Sequence, residues 1–329
     1  MNEIAVLGAG SWGAALARLL AARGHRVRVW DRDERAAASV ASVTPSPEGD
    51  AELGVLVVAA NPAEAVTGAV AAVFVVPSHA LREVARAAAP ALSPATTIVS
   101  ATKGLEIPSL MRMSEVLLDE LGAGAPVVVL AGPSFAAEVA RGVPTSVAAA
   151  SAEESLARGV QELFMGETFR VYTNPDVIGV ELGGALKNVI AIAAGICDGL
   201  GFGDNTRGAL LTRGLTEITR LGVALGAKRD TFYGLAGLGD LVATSASPLS
   251  RNRHVGEEIG KGKSLEKVLA EMTQVAEGVR TTRAALHLAR RQGVEMPITE
   301  QVYAVLFEEK DPRVAIRDLM VRRPRGEVW

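Results

Sequence analysis

Lys187 is the only charged residue between Leu182 and Cys197, in a run otherwise built almost entirely of small and apolar side chains. An unpaired ammonium in an apolar interior is costly, or loses its proton as its pKa shifts. The residue therefore either has a chemical purpose or carries its charge out to water along its alkyl stem. Its apolar surroundings destabilise the charged form and would move its pKa down from about 10.4 toward neutrality.

Further groups of residues offer chemistry. "GAGSWG" places Gly8, Gly10 and Gly13 in the spacing G-x-G-x-x-G, with Ser11 and Trp12 between them. After a strand and opening a helix, such a turn lets a pyrophosphate approach the backbone, and the helix N-terminus attracts the anion. Asp31 and Arg32 follow about 20 residues later, where the ribose of a dinucleotide is read. Asp31 can accept from a 2′-hydroxyl, as in NAD, and Arg32 can pair with a 2′-phosphate, as in NADP, so these residues leave the choice open. "SRNR" supplies Ser250, Arg251, Asn252 and Arg253, a fork of donors beside an amide that suits a phosphate or makes a charged turn. Lys103 follows a strand and can reach into a site or stay solvated; Asp240 in "GLGDL" can hold a cation or cap a helix.

These groups need a scaffold, and the chain has the length for one. With 329 residues, 49% hydrophobic and 22% charged, it has an ordinary globular balance and exceeds the usual domain size of about 100–200 residues, so two domains are expected. A net charge of −3 and the absence of a lysine or arginine block offer no basic field, and no nucleic-acid partner is expected. The single cysteine, Cys197, excludes an intrachain disulfide and reads as a buried, inert thiol in a reducing compartment. Four scattered histidines and no cysteine cluster leave little for a metal site, and none is expected. "AALARLLAA" resembles a signal h-region, but an acid and three glycines precede it instead of a basic segment. With Lys187 inside the most apolar run, no membrane span is expected, and the location expected is cytoplasmic.

The opening residues read strand, helix, strand: "IAVLGAG", "SWGAALARLLAARG" and "HRVRVWD". Short apolar strands follow at 54–60, 72–77, 96–104, 126–134 and 145–151, mostly separated by alanine-rich helices. That alternation predicts a Rossmann-like, doubly wound parallel sheet. Residues 35–53 read as a short helix followed by a surface loop. After about residue 175 helical spacing takes over, as in Leu211, Leu215, Ile218, Leu221 and Leu225. The prediction is a dinucleotide-binding domain over 1–180 and an all-helical substrate domain over 181–329.

"GAGSWGAALA", "VPSHALREV", "SATKGLE", "AGPSFAAEVARGVPT", the long segment from "YTNPDVIGVELGGALKNVIAIAAG" through "GDNTRGALLTRGLTE", "GLAGLGDLVATSASPLSRNRHVG", "VAEGVRTT" and "EMPIT" together resemble the bacterial NAD(P)-dependent glycerol-3-phosphate dehydrogenases. The resemblance implies reversible hydride transfer between NAD(P)H and dihydroxyacetone phosphate, giving sn-glycerol 3-phosphate for phospholipid synthesis. It implies Lys187 as the acid/base residue beside the substrate oxygen, with Asp240 next to it and Lys103 reaching substrate and cofactor. Gly132 and Ser134 become substrate-side contacts, with Ser250, Arg251 and Asn252 around the phosphate. Ala136, Val275, Glu277 and Arg251 join Gly8, Gly10, Ser11, Trp12, Gly13, Asp31 and Arg32 on the cofactor side. A homodimer joined through the helical half is also implied. Residues 35–53 lack the longer connection, with its Asn and aromatic-Leu-Pro motif, that family members usually carry. The alternatives are a β-hydroxyacid-type dehydrogenase, whose lysine and asparagine are typically a helical turn apart where Lys187 and Asn188 are adjacent, and a non-catalytic dinucleotide sensor.

Overall fold

The computed structural model describes residues 1–43, 53–272, 274–324 and 326–327. Within them the strands are β1 (Glu3–Leu7), β2 (Arg26–Trp30), β3 (Val55–Val58), β4 (Ala71–Phe74), β5 (Thr97–Ser100), β6 (Val127–Ala131), β7 (Thr145–Ala150) and β8 (Phe169–Asn174). They form one sheet in the order β3-β2-β1-β4-β5-β6-β7-β8. The chain winds outward from β1 in one direction and then, starting with β4, in the other. The reversal between β1 and β4 opens a crevice at the carboxyl ends of the strands, where ligands of doubly wound sheets bind.

The helices that follow these strands are α1 (Ser11–Ala22), α2 (Glu34–Ala41), α3 (Pro62–Val66), α4 (Leu81–Ala88), α5 (Met113–Leu121), α6 (Ala136–Val139) and α7 (Glu154–Phe164). Apolar residues on the two faces of the sheet build separate clusters, one with α1 and α7 and one with α4 and α5. The expected short helix after β2 is α2, while residues 44–52 of the expected loop lie outside the described residues.

Two features depart from the parallel sheet expected. β7 runs antiparallel to β6, and β8 then pairs in parallel with β7. Direction is not written in local periodicity: the β6–β7 connection carries only the one-turn helix α6, without the full helix that a parallel crossover usually uses. β8 itself is absent from the sequence prediction. It alternates buried Phe169 and Val171 with exposed Arg170 and Tyr172, a six-residue edge strand with a weak apolar signal.

From α8 (Val177–Gly199) onward the described chain is helical: α9 (Asp204–Ala224), α10 (Asp240–Ala246), α11 (Arg251–Gly260), α12 (Leu265–Glu271), α13 (Glu277–Gln292), α14 (Pro297–Phe307) and α15 (Pro312–Met320). The expected boundary at residue 180 falls in the first turn of α8. This helix is long and apolar enough to cross a bilayer, but 89% of its most apolar window is buried inside the fold. Its neighbours pack around it into a core of its own. Cys197, near its end, is buried, which pushes the thiol up to about 11, with Asp198 acting in the same direction. Glu181, also buried, accepts from Ser114 N (2.8 Å) and Oγ (2.6 Å) and from Arg112 (2.5 Å), tying α5 to α8.

α8 and α11 approach at backbone distance. A Cβ on Gly195 would lie 1.9 Å from the Arg253 carbonyl oxygen, and one on Gly256 would lie 2.0 Å from that of Ile192. Gly195→Ala is therefore expected to destabilise the protein by about 3 kcal/mol, since rigid backbone must move apart. Gly159→Ala, on an exposed turn of α7 with nothing within 4 Å of the new methyl group, should stabilise it by about 0.5–1 kcal/mol. Chemical unfolding of both variants checks the opposite signs.

Candidate active site

The lysine of the apolar run does not reach water. Lys187 is buried on α8, and its Nζ donates to Asp240 Oδ1 (2.5 Å) and Thr244 Oγ1 (2.5 Å). Asp240 opens α10 directly after a π-helical turn, Leu235–Gly239, and Gly239 holds the N-cap position. The aspartate is therefore free of capping duty. Its second oxygen accepts from Lys103 Nζ (2.6 Å), which also donates to the Gly132 carbonyl (3.0 Å). One buried carboxylate thus bridges two ammonium groups. Burial is the main force on Lys187 and pulls its pKa down to about 7; Asp240 opposes this and the Lys103 charge assists it.

The π-helical turn sits where it does because glycines remove the obstacles. A Cβ on Gly183 of α8 would lie 2.7 Å from the Ala236 carbonyl, and one on Gly237 would lie 2.1 Å from that of Phe232. With both absent, the turn settles onto α8 and aims Asp240 at Lys187. A π-turn at such a place is a recurrent way to redirect a functional side chain.

The three residues line a cleft of about 580 Å³ that is also lined by Gly10, Ser11 and Trp12. Gly8 adopts φ +119°, and a Cβ on Gly13 would lie 1.9 Å from the Gly8 carbonyl oxygen, so the turn and the first helical residues stack tightly. Gly10 is different, since a Cβ there would meet nothing within 4 Å. No side chain caps α1. The first amides of a twelve-residue helix are thus left for an anion. A dinucleotide pyrophosphate fits this cradle.

Asp31 and Arg32 do not line the cleft. Asp31 accepts from Ala9 N (2.6 Å) and Asp33 N (2.9 Å), bracing the glycine turn from behind, and Arg32 pairs with Glu83. Ala136, Val275 and Glu277 do line it. Glu277 accepts from Ser78 N (3.0 Å) and Oγ (2.7 Å), joining the start of α13 to the loop after β4.

Ser250, Arg251 and Asn252 meet the cleft at the N-terminus of α11. Ser250 caps the helix by accepting from Arg253 N (3.2 Å). Asn252 is held on both sides, donating to Asn188 Oδ1 (2.9 Å) and accepting from Gly278 N (2.9 Å), so one of its N–H groups is uncommitted. Arg251 forms no ion pair among the described residues; partial burial lowers its pKa and Glu277 opposes that. Arg253 turns away to Asp198 (2.7 Å). Ser134 lines the cleft and donates to the Gly132 carbonyl (3.0 Å), while Gly132 itself lies behind the wall at φ +150°.

Thr244 and Gln274 are cleft residues that sequence reasoning missed. Thr244 lies four residues after Asp240 on one helix, a spacing that places both on the same face. Gln274 donates to Ser11 Oγ (3.2 Å) across the cleft and carries no comparable signal.

The models of NAD-dependent glycerol-3-phosphate dehydrogenase match the chain in two parts, the N-terminus over residues 3–157 and the C-terminus over residues 176–317. The chain belongs to this family. It is 52% identical to glycerol-3-phosphate dehydrogenase [NAD(P)+] of Moorella thermoacetica over 330 residues, covering 99% of this chain and 98% of the relative. The enzyme of the same name from Pelotomaculum thermopropionicum is 51% identical over 335 residues, covering 99% and 95%. A crystal structure of glycerol-3-phosphate dehydrogenase from Coxiella burnetii superposes with a TM-score of 0.89 at 39% identity, covering 98% of this chain and 99% of that one.

For this glycerol-3-phosphate dehydrogenase family member, the charge arrangement makes a direct prediction. Asp240→Asn should drive the Lys187 pKa further below about 7, and Lys103→Met should raise it, because the aspartate favours the ammonium and the second lysine opposes it. NMR titration of 15N-labelled lysine side chains reads both shifts.

Proposed function

We propose that the protein catalyses reversible hydride transfer between NAD(P)H and dihydroxyacetone phosphate, producing sn-glycerol 3-phosphate for phospholipid synthesis. The observation that carries this reading is the buried Lys187–Asp240–Lys103 cluster, set in one cleft with the open glycine-rich turn and the N-terminus of α11. The nicotinamide, when bound, supplies or accepts the hydride. Gly8, Gly10 and Gly13 with the α1 amides hold the pyrophosphate, and Ala136, Val275 and Glu277 border the nicotinamide side.

Hydride arrival at a carbonyl leaves an alkoxide, and Lys187 in its ammonium form donates the proton that neutralises it. Asp240 and Thr244 hold the ammonium before transfer, and Thr244 stays within hydrogen-bond reach of the neutral amine afterwards. Lys103 places a second positive charge beside the developing oxyanion and keeps Lys187 acidic. Ser134 and the carbonyl-anchored Gly132 shape the substrate side. Arg251 and the free α11 amides bind the phosphate, with Asn252 oriented by Asn188 and Gly278. The sheet with its helices serves the cofactor and the helical part serves the substrate, with the division near residue 180. A cytoplasmic homodimer is the assembly and location that fit this reading.

Loss of reduced-nicotinamide absorbance tests it directly. Turnover is expected with dihydroxyacetone phosphate and not with dihydroxyacetone, and Lys187→Ala should lower kcat by about 10²–10⁴-fold. Reduction should weaken as pH rises through about 7, where the Lys187 acid form is lost, while oxidation of the alcohol should strengthen over the same interval. Absence of turnover from folded protein would return the β-hydroxyacid and sensor readings.

A further inference from the structure

We propose that Glu83 sets the preference between the two nicotinamide cofactors by holding the guanidinium that a 2′-phosphate needs, an assignment that rests on the dinucleotide reading above. β2 and β4 flank β1 in the sheet. Arg32 lies just beyond β2, and Glu83 stands in the first turn of α4, after β4. Arg32 Nη2 donates to Glu83 Oε2 at 2.7 Å. The pair therefore spans the carboxyl end of β1, beside the glycine-rich turn that β1 feeds.

The two candidate selectors at the end of β2 have different freedom. Asp31 has both oxygens engaged by backbone amides, of Ala9 and Asp33, and is part of the turn's own framework. Its negative charge stays in place whichever cofactor arrives. Arg32 is free to move: its side chain is 69% exposed, that of Glu83 is 74% exposed, and an exposed pair of this kind is weak enough to exchange partners.

A phosphate monoester brings a charge of about −1.5 to −2 at neutral pH. Placed near Asp31 and Glu83, it is repelled by both, and it must compete with Glu83 for the Arg32 guanidinium. A ribose 2′-hydroxyl, which needs no cation, escapes that competition. Glu83 thus biases the site against the phosphorylated cofactor without excluding it.

Calorimetry with adenosine 2′,5′-bisphosphate and 5′-AMP tests this without turnover, using wild type, Glu83→Gln, Arg32→Ala and the double variant. Glu83→Gln should raise the bisphosphate-to-AMP affinity ratio by about two- to tenfold at low salt, the size set by a weak exposed pair. When Arg32 is already alanine, the same substitution should raise the ratio by clearly less, since it then relieves only the direct repulsion. The kcat/KM ratio of NADPH to NADH should move in the same direction. An unchanged ratio in Glu83→Gln, or a gain of equal size without Arg32, overturns the proposal. So does failure of both nucleotides to bind, which also removes the dinucleotide reading. Binding that follows the expected pattern without turnover of dihydroxyacetone phosphate overturns the substrate assignment alone and supports the role of Glu83.

Discussion

A single carboxylate shared by two ammonium groups, all three withdrawn from bulk water, is the constraint around which the site is arranged. Asp240 is 2% exposed, Lys187 6% and Lys103 21%. An aspartate cannot neutralise two lysines, so the cluster carries excess positive charge in a medium that screens it poorly. The excess has two outlets. It pulls the more deeply buried lysine toward neutrality, and it gives the cleft a positive potential that suits an anion. Breaking the cluster by removing Asp240 would leave both ammonium groups without their shared anion, the costly case for buried ion pairs.

Meeting that constraint requires three distant segments to converge. Lys187 comes from the middle of α8, Lys103 from the loop after β5, and Asp240 from the start of α10. Each is fixed by backbone features, not by its immediate neighbours in sequence. Glycines at 183 and 237 let the π-turn settle, and the Gly132 carbonyl takes one Lys103 hydrogen bond. The start of α13 closes the arrangement from the far side, where Glu277 and Gln274 reach Ser78 and Ser11.

The parts of this that were legible in the sequence are those in which a residue type contradicts its surroundings. Lys187 stands out because a charge in an apolar run demands a partner, and Gly8, Gly10 and Gly13 stand out because a turn of that shape tolerates little else. Most strands and the long helices were legible through periodicity. The direction of β7 and the existence of β8 were not, because one depends on a long-range pairing and the other on a short, half-exposed edge. Asp31 and Arg32 drew notice as candidates for reading a ribose, but their places as a brace of the glycine turn and as a partner of Glu83 were not legible, since those hydrogen bonds go to Ala9 and Glu83, far away in sequence. Thr244 was hidden by its ordinariness: a threonine in a helix declares nothing until Asp240, one turn earlier, is seen to share the Lys187 ammonium with it.

The glycine-mediated contact between α8 and α11 extends over several turns. Cβ atoms on Gly199 and Gly260 would also collide, 2.2 Å from the Glu257 carbonyl and 2.5 Å from that of Ile196. One of these helices carries Lys187 and the other presents its N-terminus to the cleft. Their separation is therefore set by main chain against main chain, where side-chain substitution cannot adjust it. The spacing between Lys187 and the start of α11 is accordingly a property of the backbone: substitutions on the facing surfaces can force the two helices apart but cannot fine-tune the distance between them.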